Sequence, residues 1–160
     1  MKKISFLMCL LAALVLAATA NPMDVAIIVH KDNALADVSS LEVEKIFKLE
    51  TQHWKGNQRI CLVLQEAGSP EKKIVLQKIY AMTDEELRKY WLGKIFRGEI
   101  AAFPQTESSG ESVRRFVKAV PNAIGFVDAA KADDSVKVLR IDGKLPGEKG
   151  YALSDAADKP

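Results

Sequence analysis

The chain has 160 residues, 28% of them charged and 48% hydrophobic, with a formal charge of +2. This is the composition of one globular domain, not of a disordered or low-complexity chain. So small a net charge gives no general drive toward nucleic acid or an anionic membrane.

Met1-Lys2-Lys3 precedes an apolar run from Ile4 to Ala18 and a small-x-small site at Ala18-Thr19-Ala20. A basic start, a short apolar stretch and small residues make a secretory signal peptide with cleavage expected after Ala20. The run is too short for a comfortable membrane span. The predicted leader holds two of the 23 basic residues and none of the acidic ones, so residues 21–160 would carry 21 of each. Cys9 lies in the leader, which leaves Cys61 alone in the mature chain. It cannot form an internal disulfide and reads as a buried, inert thiol.

Val25 to His30 is a near-continuous apolar run, the pattern of a strand covered on both faces, as in parallel sheets. Ser39 and Glu42 match a capping box, and a helix is expected from about Ser40 to Lys48. Thr51 to Gln58 is a polar loop whose Trp54 folds back on the domain, with His53 as a surface histidine. A second strand runs from Arg59 to Gln65. Gly68-Ser69-Pro70 then supplies a permissive turn, an N-cap and a first helical residue. The following helix carries an apolar stripe of Ile74, Val75, Leu76, Ile79 and Tyr80. A strand–turn–helix junction of this kind can present amide hydrogens to an anion at the positive end of the helix dipole. The plainer alternative is that the cap is filled by the chain's own side chains.

Thr83 and Glu86 form a second capping box. The helix after them has Leu87, Tyr90, Trp91, Ile95 and Phe96 on its apolar face and ends at Gly98. Ile100 to Gln105 is irregular. Ser108 to Glu111 reads as a third capping box, before a helix that buries Val113, Phe116, Val117 and Val120 and stops at Pro121. Arg114, Arg115 and Lys118 form its solvated face. Ala123 to Asp128 is a short strand in which Gly125 implies a close backbone approach. Ala129 to Ser135 is a helical turn or loop. Val136 to Ile141 is an edge strand with Val136 and Val138 inward, and Leu139 and Ile141 as further candidates. Asp142-Gly143 is a turn, and residues 151–160 form a polar tail after a domain of residues 21–150. Alternating strands and helices predict an α/β sandwich with a mainly parallel sheet.

No Cys or His residues stand at metal-ligand spacing. His30 and His53 are the only histidines, no nucleophile elbow is present, and the Gly68 loop lacks P-loop spacing. The carboxylates sit mostly in first turns of helices, where capping explains them. The expectation is a non-enzyme without cofactor or metal.

The order of three pieces resembles the phosphate-binding periplasmic proteins of the PstS type. These are Val38 to Leu49 followed by Trp54-Lys55-Gly56; Ile60 to Ser69; and Pro121-Asn122-Ala123-Ile124-Gly125-Phe126-Val127. Tyr90-Trp91 and Ile95-Phe96-Arg97-Gly98 resemble a stretch in short, stand-alone members. The resemblance implies a type 2 periplasmic binding fold, a periplasmic location and non-catalytic binding of phosphate or a similar oxyanion in ABC transport. The length fits one lobe. The family's anion turn reads Arg-x-x-Gly-Ser-Gly-Thr. Gly68 and Ser69 keep their places, Gln65 or Glu66 stands for the arginine, and Pro70-Glu71 replaces Gly-Thr. Glu66 and Glu71 would repel an anion by about 1–4 kcal/mol each at contact distance, which Lys72 and Lys73 offset in part.

The candidate ligand-binding residues are therefore Gly68 and Ser69, with Ser39 and Ser40 as a second set if their helix starts at the same sheet edge. The alternative is a periplasmic interaction or sensory-adaptor domain that has lost its ligand. In that case a protein partner or a second copy covers the missing-lobe face, with Trp54, Phe103 and Phe126 as candidate patch residues.

Overall fold

A computed structural model describes residues 22–156. The predicted leader lies outside them. The chain forms a three-layer α/β/α sandwich around a five-stranded sheet, with α1 to α3 on one face and α4 on the other.

β1 (Val25–Val29) is buried along its whole length. Alternation sends Val25, Ile27 and Val29 to one core and Ala26 and Ile28 to the other. β2 (Asp37–Val38) leads into α1 (Ser40–Phe47), where the predicted Ser39–Glu42 capping box is formed. β3 (Cys61–Gln65) is followed by α2 (Pro70–Val75), which continues without a break as a π-helical segment, Leu76–Tyr80. Ala81 ends that segment in the left-handed region at φ +52°. α3 (Asp84–Phe96) starts at the predicted Thr83–Glu86 box. β4 (Gln105–Glu107) begins at the last residue of the stretch read as irregular and is not anticipated as a strand by the sequence. α4 (Gly110–Ala119) is capped by Ser109 through Ser112 N, not by a Ser108–Glu111 box. Next come β5 (Ala123–Asp128) and a 3-10 turn, Ala129–Lys131. The last two strands are β6 (Lys137–Val138) and β7 (Arg140–Ile141).

The strand order is β4-β3-β5-β1-β6. β3 pairs parallel with β4 and β5, and β1 pairs antiparallel with β5 and β6. Four strands therefore share one direction and β1 alone opposes them, so the sheet is mainly parallel, as expected. The unbroken apolar run of β1 reflects its place between two helical layers and not its direction. β2 and β7 pair parallel beside this sheet.

The larger core joins Ile27, Leu62, Leu64, Ile124 and Phe126 to the inner faces of α1, α2 and α3. Phe47, Tyr80, Phe126 and Trp91 stack through it at centroid distances of 6.1–6.3 Å. The Tyr80 hydroxyl donates to Phe47 O at 2.9 Å. Burial pushes this hydroxyl well above its ordinary pKa, so it stays a donor. Phe126, a candidate for an exposed patch, is fully buried here. Phe96, placed on the apolar face of α3, is 87% exposed because it falls in the helix's last turn, beyond the core. On the opposite face α4 packs Val113 and Val117 against Ala26, Ile28, Val63 and Val127. Gly125 is the close approach that its sequence position implied. A Cβ built there would meet Val113 Cγ1 at 2.7 Å and Val63 Cγ1 at 2.8 Å.

The expected 136–141 strand is broken at Leu139, whose amide donates to Ile27 O at 2.9 Å. Val136, Leu139 and Ile141 are buried and Val138 only half-buried. Beyond it, Tyr151 and Leu153 are buried although the sequence placed them in a polar tail. The Tyr151 hydroxyl donates to Val25 O at 2.9 Å. Met23 and Asp155 lie side by side, with Met23 N on Asp155 Oδ1 at 2.6 Å and Asp155 N on Met23 O at 2.9 Å.

Candidate functional site

In an open α/β sheet, ligands gather beyond the carboxyl ends of the parallel strands. Here those ends feed Ser69 after β3, Ser109 after β4 and the 3-10 turn after β5. β6 continues into β7 in the same direction, and β2, parallel to β7, delivers Ser39 and Ser40. All the predicted site residues thus belong to helix starts on one edge. They do not share one cradle. β2 and β3 are about four strand spacings apart, on the order of 19 Å.

The start of α1 is filled from within the protein. Ser39 Oγ accepts from Glu42 N at 3.2 Å and donates to Glu42 Oε2 at 2.8 Å, and Ser39 N donates to the same oxygen at 2.9 Å. Ser40 N donates to Asp142 Oδ1 at 3.1 Å, and its hydroxyl donates to Asp142 Oδ2. The bonds from Ser39 and Ser40 lower the pKa of Glu42 and Asp142, keeping both ionised. Two carboxylates hold the place an anion would take.

The start of α2 is more open. Glu66, Ala67 and Gly68 are exposed and Ser69 is half-buried. Gly68 has φ +92° and nothing within 4 Å of a Cβ placed on it. Ser69 Oγ accepts from Lys72 N at 3.1 Å, which leaves its proton for another acceptor. Lys72 pairs with Asp84 at 2.7 Å, so of the two lysines expected to offset the acids only Lys73 stays free-standing and exposed. Gln65 is buried, and its Nε2 donates to Phe126 O at 3.2 Å. Glu71 is also buried, with Lys131 Nζ at 3.7 Å. The sequence marks Glu71 only as a charge near the turn that would repel an anion, and nothing local signals its burial.

A cavity of about 650 Å³ opens at the same edge, between Met23, Asp24, Asp128, Leu145 and Pro146. None of the four predicted residues lines it. Among the described residues no group of His, Cys, Asp or Glu is arranged to hold a metal ion. No helix among them is long and apolar enough to cross a membrane. Trp54 folds back as expected, its Nε1 donating to Asn122 O at 3.2 Å, and His53 is exposed.

A solved phosphate ABC transporter substrate-binding protein from Clostridium perfringens, with bound phosphate, superposes on 83% of this chain with a TM-score of 0.68 and 22% identity. An ABC-type phosphate transport receptor from Vibrio cholerae covers 86% with the same TM-score and 20% identity. The fold is PstS-like. In sequence, the phosphate-binding protein PstS of Bacillus subtilis is 28% identical over 128 residues, 79% of this chain. No family model matches the chain. The chain spans 39% of the PstS of Bacillus subtilis and 53% and 60% of the two solved proteins. In this PstS-like lobe, the open turn at Gly68 and the filled start of α1 lie on the edge where β3, β4 and β5 end.

Proposed function

We propose that this chain is a periplasmic PstS-like binding module for phosphate or a similar small oxyanion, non-catalytic, that serves ABC-type transport. The anion is held at Gly68 and Ser69, by the Ser69 hydroxyl and the amides that open α2. The observation that carries this reading is the exposed left-handed turn at Gly68, with clear space around it, at the carboxyl end of a parallel strand. Sequence likeness to a phosphate-binding relative over 79% of the chain supports the same ligand class. Calorimetry with inorganic phosphate tests it. Wild type binds, and Ser69→Ala binds more weakly; no binding by either at millimolar phosphate refutes the assignment.

The closed start of α1 favours a second reading, in which a protein partner or another copy covers this edge and no ligand is taken. Ser39 and Ser40 are bound to Glu42 and Asp142, which leaves that helix start no free donor for a small anion. Purification from the periplasm separates the two: a small anion supports the first and a stable partner the second.

A further inference from the structure

The Trp54-Lys55-Gly56 stretch and the Pro121-Asn122 turn, two pieces that the oxyanion reading leaves unused, meet in one cavity of about 460 Å³. Its third wall is the chain that leaves β1, from His30 to Leu35. These segments lie at the amino ends of β3 and β5 and the carboxyl end of β1, so the cavity opens on the edge opposite Gly68. The five residues of β3 keep the two edges about 16 Å apart.

Each wall is fixed by its own bonds. Trp54 N donates to Gln58 O and Asn57 N to Trp54 O, both at 2.9 Å, which closes the tryptophan turn. The indole is anchored in turn, its Nε1 donating to Asn122 O at 3.2 Å. In the third wall Asn33 N donates to His30 O at 3.0 Å and Leu35 N to Asn33 Oδ1 at 2.9 Å. A cavity whose walls are already ordered takes a small ligand without the cost of ordering loops. Trp54 packs against the core but is only half-buried, so part of it stays open to the cavity.

Polar groups stand around that ring. Gln58 and Asn122 use their backbone carbonyls in the bonds above, and their side-chain amides are left to solvent. His30 Nδ1 accepts from Asp32 N at 3.2 Å, which leaves Nε2–H as the donor of the neutral imidazole. Asp32 and Lys55 put one charge of each sign on the rim, so an ion meets no net countercharge. A purely aromatic guest would cover the indole and leave the amides without partners. A hydroxyl both donates and accepts, and so does a side-chain amide. The C–H face of a sugar ring packs on an indole as an apolar surface.

We propose that this cavity is a second binding site, for a neutral polyhydroxylated ring of saccharide type. Trp54 is its platform, and Gln58, Asn122 and His30 supply its hydrogen bonds. It does not depend on the oxyanion reading of the Gly68 turn.

The test is titration of wild type with glucose, N-acetylglucosamine and maltose, followed by NMR, with phenol as the aromatic probe and inorganic phosphate as the anionic one. At least one sugar should shift the Trp54 Nε1–H and the Gln58 and Asn122 side-chain amide signals along one saturating curve. Gly68, Ser69 and the buried Trp91 should not move with it. Gln58→Ala and Asn122→Ala should each weaken that sugar about fivefold or more. Gln77→Ala, which removes an exposed amide from the π-helical segment, should leave the affinity unchanged. Trp54→Phe, checked for folding by circular dichroism, should bind more weakly on its smaller platform. No saturating shift with any of the three sugars overturns the proposal. So do curves that Gln58→Ala and Asn122→Ala leave unaltered, and so does binding of phenol in place of the sugars. If phosphate shifts Gly68 and Ser69 while the sugars fail, this site falls and the oxyanion reading stands. If a sugar binds and phosphate does not, this site stands and the oxyanion reading falls.

Discussion

Gly125→Ala tests how closely α4 is seated on the sheet. Carbon atoms pack best at about 3.5–4.0 Å. The new methyl would lie 2.7 Å from Val113 Cγ1, 2.8 Å from Val63 Cγ1 and 3.1 Å from Val63 O. Both valines are fully buried, and β-branching leaves them few alternative rotamers. Relief has to come from lifting α4 or parting β3 from β5, an overpacking cost of about 1–3 kcal/mol. Gly125 is not among the glycines with positive φ, so alanine suits its backbone and recovers about 0.4–1 kcal/mol from the unfolded state. The net expectation is a loss of about 1–2 kcal/mol, read as a lower urea midpoint at unchanged slope. Val113→Ala alone loses buried methyls and costs about 1.5–3 kcal/mol. In the double variant the methyl added at Gly125 enters the vacated space, so the two losses should fall short of additivity by about 1 kcal/mol. A Gly125→Ala protein as stable as wild type, or a strictly additive pair, refutes the claim that this glycine sets the helix–sheet distance.

Tyr80→Phe removes the 2.9 Å bond to Phe47 O within the aromatic cluster and leaves a buried carbonyl unpaired. It should cost about 1–2 kcal/mol in denaturant unfolding, and a neutral result would place that carbonyl in contact with water. Acid should destabilise the protein through Glu99, whose pKa falls from 4.5 to about 2 because it accepts hydrogen bonds from Arg97 and then Lys94. A depressed folded-state pKa stabilises the fold above the unfolded value and loses that contribution as pH drops from about 4.5 toward 2. Thermal midpoints should decline through that window and decline less in Glu99→Gln. A carboxyl NMR titration of Glu99 centred near 4.5, its ordinary value, would contradict the geometry of this cluster.

Features written in a few adjacent residues were legible in the sequence. Ser39–Glu42 and Thr83–Glu86 cap their helices as read, because a capping box is complete within four residues. At α4 two serines in succession offered two registers, and the cap falls on Ser109. Strand direction was not legible, since the apolar run at β1 is the same read either way. β2 and β7 are too short to carry a period, and they draw their order from each other across a long stretch of chain. At the candidate site, the turn at Gly68 and the cap at Ser69 were local signals. The Asp142 carboxylate that closes the start of α1 comes from 102 residues away, and Glu71 is buried by elements that follow it in the chain.

The reversed direction of β1 carries a practical consequence. Because that strand begins where its parallel neighbours finish, Met23 and Asp155 surface together on the side of the molecule that carries Gly68. A fluorophore or fused domain attached at either position would therefore sit within reach of whatever docks there. It would report occupancy directly, and a bulky one would impede it.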